Sequence, residues 1–202
     1  MTHPFVLASG SPRRLTLLQQ IGHPPDLVIP ADIDESPISD EKPADTALRL
    51  AVRKAETVAI ANPDAVILGA DTVVACGRRA LPKAETEHEA RACLELLSGR
   101  RHQVHGGIAI VAPGGKLWRR RVSTVVKFKR LATRDIEAYI ACGEWQGKAG
   151  GYAIQGRAAA FVSAINGSYT NVVGLCVYVT AGLLEAAQAH AATLWAGKSS
   201  GK

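Results

Sequence analysis

The sequence predicts a single α/β domain built on a mixed β-sheet flanked by helices, and three observations carry that prediction. Short apolar runs alternate with segments whose apolar residues recur every three or four positions, as strands interleaved with amphipathic helices do. Residues 65–76 (AVILGADTVVAC) are too apolar for a half-exposed strand and fit a central one covered on both faces. Two alternating stretches, 103–112 and 117–128, are joined by Pro113-Gly114-Gly115, hairpin chemistry that puts an antiparallel pair beside the crossovers. At 202 residues the chain can bury a sizeable core in one domain spanning its whole length.

The elements follow in order. Phe5 to Ala8 is a short apolar strand, Ser9-Gly10-Ser11 is turn and N-cap material, and Pro12 suits a first helical position. A helix therefore starts near Pro12, with Leu15, Leu18 and Ile21 on one face and Gly22 as its stop. Residues 26–30 read as a short strand leading into the acidic turn 31–37. A helix over 45–61 turns Leu48, Ala51, Ala55, Val58 and Ala59 inward and ends at Asn62-Pro63. Another, over 86–97, buries Ala90, Cys93, Leu94 and Leu97 and closes at Ser98-Gly99. Thr133 can cap a helix running to Cys142, a glycine-rich segment covers 147–174, and an alanine-rich helix ends near Ala196. The small, polar residues 197–202 are expected to fray.

A formal charge of +6 favours anionic partners. The densest basic groups, Arg119 to Arg121 and Lys127 to Arg130, fall in strand-like segments and read as solvated faces, which argues against nucleic acid as the partner. Four cysteines without a C-x-x-C pair predict reduced thiols in the core. His102 and His105, three apart in a strand, point to opposite faces and so share no metal. With no cleavable signal and no apolar run near the ~20 residues that span a bilayer, the expectation is a cytoplasmic protein without a membrane partner.

Chemistry concentrates at three places. Arg13 and Arg14 sit where the free N–H groups and positive dipole end of a helix disfavour cations, a conflict that an anion in the turn would reverse. Backbone donors, the hydroxyls of Ser9 and Ser11 and two guanidiniums converging there make a phosphate site. The plain alternative is two solvated arginines. Asp71 is a lone carboxylate inside an apolar strand, so it must be protonated, paired with a cation such as Lys54 or Lys83, or bound to metal. Glu35, with Asp32 and Asp34 nearby, can add oxygen ligands for Mg²⁺. Gln155, in GKAGGYAIQG (147–156), offers an amide that can donate and accept in parallel against the imide edge of uracil or thymine.

Together these segments carry a resemblance. LASGSPRR (7–14), LAVRKA (50–55), GADTVV (69–74), LPK (81–83), LLSG (96–99) followed by HQV (102–104), GKAGGYAIQG (147–156) and GSYTNVVGL (167–175) resemble the Maf proteins along nearly the whole chain. The chain departs from the family pattern at Ala84, Gly106 and Cys176. The resemblance implies an elongated α/β fold with two lobes around a cleft, like the inosine triphosphate pyrophosphatases. It also implies hydrolysis of a nucleoside triphosphate between the α- and β-phosphates with Mg²⁺ or Mn²⁺. GYAIQG is similar to the dTTP/UTP branch. In that branch Asp71 matches the proton acceptor, Arg13, Thr72 and Gln155 match specificity positions, and Arg14, Glu35, Lys54 and Lys83 match the charged cleft. For Asp71 the roles of base and metal ligand compete, and base is preferred. A sister specificity such as 7-methyl-GTP, a non-catalytic module that binds nucleic acid or a division protein, and a homodimer all remain open at this stage.

Overall fold

The computed structural model describes residues 3–199, with side chains as far as Leu194. The elements are β1 (Phe5–Leu7), α1 (Pro12–Gln20), β2 (Leu27–Val28), α2 (Pro43–Ala61), β3 (Val66–Cys76), β4 (Arg79–Leu81), β5 (Lys83–Ala84), α3 (Glu87–Leu97), β6 (Arg101–Val111), β7 (Leu117–Phe128), α4 (Thr133–Cys142), β8 (Lys148–Ala149), a 3-10 turn (Arg157–Phe161), β9 (Val162–Asn166), α5 (Tyr169–Val173) and α6 (Val177–Ser199). The main sheet runs β2-β1-β3-β6-β7-β9, with β4 folded back on β3. Strand β1 is parallel to both β2 and β3, and the pairs β3–β6, β6–β7 and β7–β9 are antiparallel, so the sheet is mixed as predicted.

Alternation along the strands divides the core in two. Phe5, Leu7, Val66, Leu68, Ala70, Ile108 and Ile110 pack on one face with Leu17 and Leu18 of α1, Leu94 and Leu97 of α3 and Leu184 of α6. Val6, Ala8, Ile67, Ala109 and Val111 pack on the other against Ala51, Ala55 and Val58 of α2. Period-two geometry puts Asp71 on the α2 side, because it shares parity with Ile67. Two glycines bring α2 against that side: a Cβ at Gly69 would lie 2.2 Å from the carbonyl oxygen of Ala51, and one at Gly107 2.0 Å from that of Ala47. The helix backbone thus rests directly on the sheet.

Several sequence expectations shift. Thr133 is the first residue of α4 and not its cap; the carboxylate of Asp135 accepts the Ala132 N–H at 3.0 Å instead. Ser11 holds the N-cap position of α1, but its hydroxyl makes no capping bond. Of the tail expected to fray, 197–199 belong to α6 and 200–202 lie outside the described residues. Strands β4, β5, β8 and β9 and helix α5 were not legible, being two to five residues long and held by distant pairings. Two of the four free thiols, Cys93 and Cys176, are buried, and Cys76 and Cys142 are only half-buried. His102 and His105 are engaged separately, with Tyr152 and Ser123. Arg119, Arg120, Arg121 and Lys127 are exposed along β7, as expected of a solvated face. At Gly106 any side chain would meet Asn171, whose Oδ1 lies 2.1 Å from the Cβ position, which accounts for the missing side chain there.

Candidate active site

A cleft of about 420 Å³ opens at the carboxyl end of β1, where the chain leaves the sheet for α1 on one face while α2 covers the other. Crevices at such chain reversals are the usual ligand sites of open α/β sheets. The cleft is lined by Ser9, Ser11, Arg13, Arg14, Glu35, Lys54, Asp71, Thr72, Lys83 and Gln155, whereas Asp32 and Asp34, named beside Glu35 in the sequence, do not line it.

The two arginines are not solvated side chains. Arg14 is buried; its Nε donates to the Gly174 carbonyl at 2.9 Å, Nη1 to Ser9 Oγ at 2.8 Å and Nη2 to Thr72 Oγ1 at 3.2 Å. Arg13 Nε donates to the Val173 carbonyl at 3.2 Å. These carbonyls close the C-terminus of α5, so the negative end of one helix compensates cations at the positive end of another. Burial pulls the affinity of both guanidiniums for their protons below the ordinary value, and the neighbouring Asp71 and Glu35 pull that of Arg14 back up. Thr72 Oγ1 in turn donates to the Gly174 carbonyl at 3.3 Å, tying β3 to the same point.

On the α2 side, charges alternate along a chain of ion pairs. Lys54 Nζ lies 2.6 Å from Asp71 Oδ1 and 2.6 Å from Glu35 Oε1, and Lys83 Nζ lies 2.9 Å from Glu35 Oε2. Lys54 and Asp71 are buried, whereas Lys83 is exposed. Burial pushes the Glu35 carboxyl up, but hydrogen bonds from Lys54 and Lys83 outweigh it and hold the group down at about 2. The two carboxylates converge on one ammonium, a pair of hard oxygen donors suited to Mg²⁺ or Mn²⁺. Among the described residues no group of three or more His, Cys, Asp or Glu surrounds that point, so phosphate oxygens and water would complete such a shell.

The opposite wall is the two-stranded ribbon β5–β8, in which Lys83 pairs with Ala149 and Ala84 with Lys148. Gly150 at φ +70° and Gly151 at φ +68° turn the chain after β8; a Cβ at Gly150 would lie 2.8 Å from Val74 Cγ1. Tyr152, Ala153 and Ile154 then sink into the core and Gln155 emerges on the cleft wall. Lys148 and Tyr152 also line the cleft, though sequence reasoning assigned neither. The signal for Lys148 was present, since it lies inside the quoted GKAGGYAIQG motif. Burial, with Arg13 adding repulsion, lowers the proton affinity of its ammonium.

The family model for Maf-like proteins matches residues 4–187. The chain belongs to the Maf family. It is 61% identical over 181 residues to a dTTP/UTP pyrophosphatase of Paramagnetospirillum magneticum, an alignment covering 90% of this chain and 95% of that protein. It is 56% identical to the dTTP/UTP pyrophosphatase of Caulobacter vibrioides, over 90% of this chain and 94% of that one. Among solved structures, the Staphylococcus aureus Ham1 protein superposes with a TM-score of 0.44 at 17% identity, covering 61% of this chain and 71% of its own. The Maf architecture seen here thus consists of a mixed sheet, helices on both faces and a cleft beyond β1. Among the described residues no helix is long and apolar enough to cross a membrane.

Proposed function

We propose that this Maf protein hydrolyses dTTP and UTP between the α- and β-phosphates, releasing the nucleoside monophosphate and pyrophosphate in the cytoplasm with the help of Mg²⁺ or Mn²⁺. The observation that carries the reading is Asp71: among the described residues it is the one buried carboxylate, and it stands in a cleft with five cations, Arg13, Arg14, Lys54, Lys83 and Lys148. The names of the relatives at 61% and 56% identity support the same substrates.

Hydrolysis of this kind needs charge neutralisation, in-line positioning and an oriented water more than covalent help. Arg14, Lys54 and Lys83 bind the triphosphate, their charges set against its oxygens, Ser9, Ser11 and Thr72 add hydroxyl donors, and Arg13, beside Arg14, adds its charge there while also serving base selectivity. Asp71 accepts a proton from the water that attacks the α-phosphorus. The bond from that phosphorus to the bridging oxygen breaks, and the oxygen departs with pyrophosphate. Glu35 would hold the divalent cation together with phosphate oxygens and water, and the ion when bound would supply further neutralisation of phosphate charge; with base as the preferred role of Asp71, that carboxylate is left to take the proton. Gln155 meets the imide edge of uracil or thymine.

The test is release of pyrophosphate and monophosphate by purified protein with Mg²⁺ across a nucleotide panel. dTTP and UTP are expected to lead; turnover of 7-methyl-GTP at an equal or higher rate ends the pyrimidine assignment. Asp71→Asn is expected to abolish release while nucleotide still binds, and wild-type rates in that variant would remove Asp71 from the chemistry.

A further inference from the structure

Helix α5 is five residues long, too short to be stable by itself, yet carbonyls at its end steer both arginines of the cleft. The Val173 carbonyl accepts Arg13 Nε at 3.2 Å, and the Gly174 carbonyl accepts Arg14 Nε at 2.9 Å and Thr72 Oγ1 at 3.3 Å. Arg14 commits a donor on each of its three nitrogens to the protein, to Gly174, Ser9 and Thr72. The N–H groups left over on Nη1 and Nη2 are the ones phosphate oxygens can take. Three contacts define the plane of the guanidinium, and without the Gly174 carbonyl that plane is free to tilt.

What ties α5 to the sheet is polar and buried. Asn171, in the middle of the helix, sends Nδ2 to the Val104 carbonyl of β6 at 3.0 Å and to Thr124 Oγ1 of β7 at 3.1 Å. The Thr124 hydroxyl also accepts the Ser168 N–H at 3.1 Å and donates to the Ser168 carbonyl at 3.2 Å, so its donor and both acceptor positions are filled. The Asn171 amide has a single orientation as a result. Turned over, its oxygen would face the Val104 carbonyl. The arrangement has a cost, since Asn171 Oδ1 is buried without a hydrogen-bond partner. An apolar side chain would avoid that cost and would surrender the bond to β6.

We infer that Asn171 and Thr124 are positioning residues for Arg14: they fix α5 on β6 and β7, and the Gly174 carbonyl at the end of α5 fixes the guanidinium. The inference rests on the reading of the cleft as a triphosphate site in which Arg14 binds phosphate. Neither Asn171 nor Thr124 lines the cleft; both act through the Gly174 carbonyl, which does line it.

The test is a double-mutant cycle on kcat/KM for dTTP, measured with enzyme in excess, in wild type, Asn171→Ala, Arg14→Met and the pair. Asn171→Ala alone is expected to lower kcat/KM about tenfold, as loss of one charge-assisted hydrogen bond implies. Once Arg14 is gone the same change should have less than about a twofold effect. Thr124→Val should reproduce the loss, and Thr124→Ser, which keeps the hydroxyl, should not. Asn171→Ser serves if Asn171→Ala folds poorly. A merely structural role gives another pattern, in which Asn171→Ala costs the same factor with and without Arg14. That pattern, or wild-type kcat/KM in both Asn171→Ala and Thr124→Val, overturns the inference. Failure of the underlying reading shows elsewhere: the wild-type protein would release no pyrophosphate from any nucleotide, or Arg14→Met would run at the wild-type rate.

Discussion

The ammonium of Lys54 is buried 2.6 Å from the carboxylate of Asp71, which lies seventeen residues away in sequence and across a helix–sheet interface. Neither group could be buried alone without a penalty of several kcal/mol. Their pairing therefore fixes the register of α2 on β3 as well as the electrostatics of the cleft, and it leaves a charged network where a substrate bearing negative charge can compete for the cations.

Removing one partner should cost more than removing both. Lys54→Met strands the Asp71 carboxylate inside the protein and is expected to lower unfolding free energy by about 3–5 kcal/mol. Lys54→Met/Asp71→Asn should recover part of that loss. Urea denaturation of the wild type and both variants checks it; equal stability of the two variants would mean that Asp71 is solvated once Lys54 is gone.

Gly69 is one of the two positions at which the backbone of α2 touches the sheet, with only 2.2 Å between its Cβ site and the Ala51 carbonyl oxygen. Gly69→Ala must push the helix outward, and the overpacking should cost about 1–3 kcal/mol. Lys54 rides on the same helix one turn further along, so the displacement should also reduce turnover. A variant with wild-type melting temperature and rate would show that α2 can shift without moving Lys54.

How much of this was legible in the sequence follows from what each residue has to satisfy. Asp71 declared itself because a lone carboxylate in VILGADTVV needs a partner, and Arg13 and Arg14 because cations at a helix start need an anion or its equivalent. The partner of the arginines, the carbonyls of Val173 and Gly174 some 160 residues away, left no local trace. Nor did the β5–β8 ribbon, since two-residue strands have no periodicity to read and exist only because distant segments meet. Lys148 and Tyr152 were hidden for the same reason: the motif containing them was visible, but which of its side chains face the cleft is set by glycine turns at 150 and 151.

Acid should weaken the fold in two steps. Burial holds His102 at about 4, below its ordinary 6.5, so between those values the unfolded chain takes up a proton that the native state refuses. Stability is full above pH 6.5 and is lost as the pH falls towards 4, by about 3 kcal/mol. His105, lowered by burial in the same direction, adds to the slope. Glu35, held at about 2, contributes stability that is present above its ordinary 4.5 and is lost as the pH falls further. Denaturation midpoints measured from pH 8 to 4 should show the decline, and His102→Phe should flatten it whatever its effect at pH 8.

Base selectivity and phosphate binding should separate by position in the cleft. Gln155 is exposed on the wall beyond the ribbon and Arg13 is half-buried at the turn, whereas Lys83 reaches across to Glu35 at 2.9 Å. Gln155→Ala and Arg13→Ala are therefore expected to erode the preference for dTTP over other bases by about 5- to 150-fold, the equivalent of about 1–3 kcal/mol for a lost recognition bond. Lys83→Ala should weaken every triphosphate by one common factor, because it removes charge that no base can sense. Steady-state kinetics with dTTP, dCTP, dATP and dGTP distinguishes the two patterns. A uniform loss in all three variants would place base recognition elsewhere, and a selective loss in Lys83→Ala would bring that lysine to the base side of the cleft.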